Sequence, residues 1–221
     1  MPRTPAGGTP TRDRLIRAGA RLFAEQGVHG AQLRDVVRLA GQSNPSAVQY
    51  HFGSREGLLD AVMRERQERA ELSLHALLPV PEGQPLAVLL AALVASEAVG
   101  LGSETGRDGL RIAAQISHRS GIRTREPHPH LAGGGYWRLI GELEVPLLEL
   151  PEPVRLERID LALTLVGAAL AERARQLEAG ERLLTDEPLF RADLVAMAGA
   201  MLTAPLPVPL PTQPPTPAAE D

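Results

Sequence analysis

Residues 43–59, SNPSAVQYHFGSREGLL, concentrate hydrogen-bonding chemistry in one short run. The chain has only three Phe, two Tyr and six His, yet Tyr50, His51 and Phe52 stand in succession. Around them lie Asn44, Ser46, Gln49, Ser54 and the cation Arg55. Hydroxyl, amide, imidazole and guanidinium groups are the donors that meet phosphate oxygens and base edges. Asn44 can cap a short helix with Pro45 at its first position, where the missing N–H costs nothing. Val48 and Phe52, four residues apart, point back into a small core and leave Ser46, Ala47 and Gln49 to fit a groove. Tyr50 and His51 flank that anchor and offer an O–H and an N–H to phosphate. Arg55 follows a Gly-Ser break and opens the next helix. A phosphate there would meet a guanidinium and the free N–H groups of a helix end.

The flanking sequence supplies elements to position these groups. Starting at Thr9-Pro10 or Thr11, a first helix carries Leu15, Ile16, Leu22 and Phe23 at helical spacing and ends at Gly27. Gly19 interrupts that stripe at a cost of about 1 kcal/mol against Ala, which predicts a closely packed neighbour. QLRDVVRLAG is a second, short helix with Leu33, Val36, Val37 and Ala40 inward and Gly41 as its stop. A fourth, longer helix is capped by Ser54 and closed off by Pro79. Two short helices joined by a tight turn are the sequence form of a helix-turn-helix, whose second helix enters the major groove.

Composition narrows the alternatives. With 221 residues, 43% hydrophobic and 23% charged, the chain suits one large or two smaller globular domains. The absence of Cys removes disulfides, thiolate catalysis and Cys-based zinc sites. No apolar run approaches the roughly 20 residues needed to span a bilayer, and the N-terminus lacks an apolar signal region, so a cytoplasmic location is expected. Residues 1–69 hold 11 Arg against 7 acidic residues, whereas the remainder holds 12 against 20. A basic segment on an acidic body suggests one polyanion-facing end.

Beyond the VPEGQP hinge, apolar helical segments are predicted at about 84–100, 107–119, 135–149, 153–179 and 187–203. Leu156, Ile159, Leu163, Val166 and Leu170 form one stripe, while Leu161, Leu165 and Ala169 sit off it. A helix apolar on two sides is central in a core or shared with a second subunit, which makes Leu163 and Val166 interface candidates. The final PLPVPLPTQPPTPAAED has little core-forming power and reads as a disordered tail.

The run GAQLRDVVRLAGQSNPSAVQYHFGSREGLLDAV resembles the N-terminal domain of the TetR (tetracycline repressor) family of bacterial regulators. The shared features are Ala40-Gly41, Tyr50-His51-Phe52, Ser54-Arg55-Glu56 and Leu58-Leu59, and the resemblance covers roughly residues 12–65. Two departures stand out: one extra residue lies between Gly41 and Phe52, and Gln32 replaces the usual capping Thr. The resemblance implies a homodimer whose last two helices form the interface and whose second domain binds a small effector. It places DNA contacts at Arg34, Pro45, Ser46, Gln49, His51 and Arg55, with Arg55 holding phosphate, and the neighbouring donors Asn44 and Tyr50 complete the candidate DNA-binding set.

The expected architecture is all-α: an arm at 1–10, a helix-turn-helix domain at 11–55, a helical effector and dimerisation domain at 56–204 opening with a connecting helix at 56–78, and a tail at 205–221. Glu97, Arg111, Gln115, His118, Tyr136 and Trp137 are candidates for an effector pocket, and the effector is expected to be small and largely apolar. No catalytic constellation, phosphate loop or dinucleotide fingerprint is present, and neither cofactor nor metal is expected. The alternative left open is a small all-helical enzyme or metal-binding protein using His118, His128 and His130. The expected reading is a sequence-specific regulator on a double-stranded, pseudo-palindromic operator, released by its ligand.

Overall fold

The computed structural model describes residues 10–117, 121–129 and 131–206. Residues 1–9 of the predicted arm at 1–10, His118, His130 and the tail from 207 lie outside these residues, and Pro10 opens the first helix. Among the described residues every regular element is helical, and no helix is long and apolar enough to cross a membrane.

Helix α1 (Pro10–Gln26) buries Leu15, Ile16, Leu22 and Phe23, and Gly27 at φ +83° turns the chain out of it. Gly19 lies under Leu58: a Cβ there would come within 2.9 Å of the Leu58 Cδ2. Helix α2 (Leu33–Leu39) buries Val36 and Val37, and its start has no side-chain cap, since the Gln32 amide reaches none of the free N–H groups. Gly41 at φ +65° makes the turn into α3 (Ala47–Phe52). That helix starts two residues later than expected. The Asn44 Oδ1 accepts the Ser46 N–H at 2.9 Å, so Asn44 and Pro45 form a turn ahead of the helix. Ala47, expected at a groove, is buried instead beside Val48.

Helix α4 (Arg55–Leu77) begins at Ser54, whose Oγ accepts the Gly57 N–H at 3.0 Å. It joins two cores. Leu58, Leu59, Ala61 and Val62 complete the first with α1–α3, while Leu74 belongs to the second. The second core gathers α5 (Leu86–Ala98), α6 (Glu104–Gln115), α7 (Gly135–Glu144), α8 (Glu152–Glu178) and α9 (Glu187–Thr203). Short 3-10 turns at Val99–Gly102 and Val145–Leu147 follow α5 and α7. Helix α6 starts earlier than predicted because Ser103 caps it, accepting the Gly106 N–H at 3.1 Å.

Packing corrects two further expectations. Val166 is buried inside the protomer, and Leu163 is half-buried against the second core, where it lines a cavity. On α8 the outward residues are Leu161, Thr164 and Ala168; on α9 they are Leu189, Ala196, Met197 and Ala200. The chain also stays tied past Thr203, since Arg158 donates to the carbonyls of Leu202 at 2.9 Å and Pro205 at 3.3 Å.

Candidate nucleic-acid interface and ligand cavity

Both short helices of the helix-turn-helix carry exposed polar side chains. From α2 the exposed side chains are Arg34 and Arg38, one turn apart, and the apolar Leu39. From α3 and its approach they are Asn44, Pro45, Ser46, Gln49 and Tyr50. Ser46, Gln49 and Tyr50 follow the i, i+3, i+4 spacing of one helix face. Tyr50 is 84% exposed, although a Tyr of that size is ordinarily at least partly covered. Its ring meets His51 edge to face at 5.0 Å, and His51 is half-buried. Phe52 packs on the first core beneath the Arg12 guanidinium, 5.4 Å from the ring centre. The result is a short helix with its amide and hydroxyl groups outward.

Arg38 was not singled out from the sequence. Its side chain is 82% exposed, with one surface pair to Asp35 at 3.1 Å. The signal was available: it stands four residues after Arg34 and outside the Leu33, Val36, Val37, Ala40 stripe.

Arg55 does something other than expected. Its Nη1 donates to the carbonyls of Ala31 at 2.6 Å, Val28 at 3.2 Å and His29 at 3.4 Å. These carbonyls belong to the turn between α1 and α2, and a cation among them gives charge-assisted hydrogen bonds. Arg55 therefore clips that turn to the start of α4 through its Nη1.

A cavity of about 200 Å³ lies between the second-core helices and the middle of α4. Leu59, Met63, Leu93, Ile116, Leu163 and Val166 make it predominantly apolar. The polar groups on its wall include Gln67, Tyr136 and the Arg66–Glu97 ion pair, whose side chains are only slightly exposed. Glu71 fixes this end by accepting the N–H groups of Gly135 at 2.9 Å and Tyr136 at 3.0 Å, which caps α7. The glycines at 134 and 135 permit that approach, since a Cβ on Gly134 would lie 2.4 Å from the Glu71 carboxylate. Burial, and next the Glu97 charge, push the Tyr136 phenol up, so it stays a neutral donor. Met63, Arg66 and Gln67 were missed because nothing in α4 marks which of its faces meets a hollow.

Of the pocket candidates, Glu97 and Tyr136 line this cavity. Trp137 packs against the second core without lining it. Arg111 and Gln115 face the other way, toward α1. The Gln115 Oε1 accepts the Val28 N–H at 3.0 Å and its Nε2 donates to the Phe23 carbonyl at 3.3 Å. Arg111 donates to the Ala24 carbonyl at 3.0 Å and to Glu178 at 2.9 Å. Between them Ile112 is fully buried in the first core. Helix α6 thus presents Ala113, Ala114 and Ile116 to the cavity and Arg111, Ile112 and Gln115 to the helix-turn-helix unit. Free carbonyls at the end of α1 attract these donors, a demand invisible in the sequence of α6. His128 lines the cavity; among the described residues no group of three or more His, Asp or Glu is placed to hold a metal.

Residues 15–62 match the model for bacterial regulatory proteins, tetR family. The HTH-type transcriptional regulator UidR of Escherichia coli K12 is 36% identical over 61 residues, 28% of this chain and 31% of that one. The HTH-type transcriptional repressor AcnR of Corynebacterium glutamicum is 38% identical over 66 residues, 29% of this chain and 35% of that one. The matched stretch spans about a third of the length of these curated relatives. The fold extends further. The fatty acid degradation regulator FadR of Bacillus halodurans superimposes with a TM-score of 0.57 at 16% identity, over 90% of this chain and 98% of that one. A structure from Shewanella sp. PV-4 assigned to the tetR family gives 0.59 at 17% identity, over 85% and 95%.

Proposed function

We propose that this chain, a DNA-binding transcriptional regulator of the tetR family, acts as a homodimeric repressor on a pseudo-palindromic operator and is released by a small, largely apolar ligand. The observation that carries this reading is the set of exposed donors on two adjoining helices, Arg34 and Arg38 on α2 and Ser46, Gln49 and Tyr50 on α3 and its approach. Ser46 and Gln49 are the groups for base edges, while Arg34, Arg38, Tyr50 and His51 serve phosphates. Asn44 and Pro45 shape the approach.

Leu161 of α8 and Leu189 and Met197 of α9 are each about half exposed. Apolar side chains on two adjacent helices favour a partner, and a second copy brings two reading heads to half-sites about 34 Å apart or a multiple of that. The cavity supports a ligand with an apolar body and one or two polar handles near Arg66, Gln67 and Tyr136. Contact of α6 with both the cavity and α1 gives such a ligand a route to the DNA-binding unit. By linkage, DNA weakens the ligand as much as the ligand weakens DNA. The reading places the protein in the cytoplasm with no enzymatic role.

Gel shift against DNA flanking its own gene tests this. A two-fold complex on one fragment, unaffected by excess random DNA, is expected; no retarded species, or one competed equally by any DNA, contradicts it.

A further inference from the structure

The seam between the two cores holds more carboxylates than cations. Among the described residues that meet there, α1 contributes Arg21 and Glu25, α6 contributes Glu104, Asp108 and Arg111, and α8 contributes Glu178. Arg21 pairs with Glu25 and Glu104 and lies 3.5 Å from Glu178. Arg111 holds Glu178 at 2.9 Å and lies 3.9 Å from Asp108. Asp108 is the deepest member, 2% exposed, and its Oδ1 receives no hydrogen bond.

We propose that Asp108 is a proton-operated switch in this seam: taking up a proton, it tightens the grip of α6 on the turn that presents the helix-turn-helix. When ionised, Asp108 repels Glu178, draws on both Arg21 and Arg111, and repels Glu104 more weakly. Arg111 must also hold the Ala24 carbonyl, and Arg21 must hold the same two glutamates. Protonation removes the competition and the repulsion together, leaving Arg111 to Glu178 and Ala24. Charges from the other packed elements line a neighbouring groove or hold other partners. Glu65, Arg66 and Arg69 of α4 and Arg17 of α1 line the neighbouring groove beside Gly109. Of these, Arg66 holds Glu97, and Arg69 lies 3.8 Å from Glu65. Arg107 donates to the Leu101 carbonyl at 3.1 Å, and the turn Val99–Gly102 carries no titratable side chain. Burial, followed by the Glu178 charge, raises the Asp108 carboxyl to about 6, so the switch turns over in mildly acidic conditions. This claim concerns the joint itself and holds whatever occupies the cavity.

Amide exchange reads the joint directly, because the Val28 N–H donates to Gln115. Exchange of residues 24–31, corrected for intrinsic rates and referenced to α5, is measured in the full chain at about pH 7.5 and 5.5. Wild type is expected to gain about tenfold protection on acidification, and Asp108→Asn to keep the higher protection at both values. The same pH dependence in both proteins, or none in wild type, overturns the proposal. Should Asp108→Asn not fold, the side-chain carboxyl resonance of Asp108 in wild type decides. A midpoint above about pH 5 supports the switch, and one near the ordinary value of about 4 removes it.

Discussion

Arg55, Arg38 and Gln49 separate three jobs that residue type alone cannot tell apart. Arg55 is occupied by three turn carbonyls, so Arg55→Ala is expected to cost about 1–3 kcal/mol of stability. Its slope of log affinity against log salt should stay that of wild type. Arg38→Ala, with its side chain in solvent, should leave the melting temperature unchanged and lower that slope by about one for each phosphate lost. Denaturation and salt titrations of the two variants check both statements; a lowered slope for Arg55→Ala at unchanged stability would return it to the phosphate. Gln49→Ala should cost on the order of 1–3 kcal/mol on the operator and little on random DNA. What was legible here was the chemistry of the segment: donors clustered around Gln49 to Arg55. Its allocation was not, because the partners of Arg55 lie 24 to 27 residues back and are backbone oxygens. Arg111 and Gln115 were misassigned for the same reason.

Helices carry the next set of consequences. Gly19 was readable as a close-packing site, and Leu58 is the group that occupies the space. Gly19→Val should therefore destabilise by about 1–3 kcal/mol through overpacking against a fully buried leucine, visible as a lower urea midpoint. A midpoint equal to or above wild type would mean that α1 and α4 can separate freely. On α8 and α9 the surplus of apolar residues was visible as periodicity, but periodicity cannot choose which stripe faces out. The stripe of Ile159, Val166 and Leu170 is the protomer's own core. Leu161→Asp and Met197→Glu should thus weaken dimers while the monomer stays folded, whereas Val166→Asp should unfold the chain. Light scattering at micromolar concentration beside circular dichroism distinguishes these outcomes. The start of α3 was placed two residues early because an Asn side chain can cap a helix or close a turn, and only the N–H at Ser46 decides between them.

At the scale of the whole molecule, the charge asymmetry pointed to a distinct N-terminal unit. The VPEGQP hinge does not divide the cores, since Leu74 before it and Leu89 after it share the second. The joint between the cores was not legible. It is built from long-range pairs such as Gln115 with Val28 and Arg111 with Ala24. Asp108 also makes that joint a stability term. Its carboxyl titrates higher folded than unfolded, so its charged form costs stability at neutral pH, and that cost fades as pH falls below about 6. Asp108→Asn should be about 1–2 kcal/mol more stable than wild type near pH 7.5 and no different near pH 4. Melting curves across that range check the sign. The central claim is that α2 and α3 form a sequence-reading surface, and one titration meets it most directly. Fluorescence anisotropy would compare a fragment retarded from the flanking DNA with a scrambled fragment of equal length and salt, for wild type and Gln49→Ala. Wild type should prefer the first by about 10³-fold or more, with Gln49→Ala losing much of that preference but keeping its affinity for scrambled DNA. Equal wild-type affinity for the two fragments, or a Gln49→Ala variant weakened identically on both, would contradict the account.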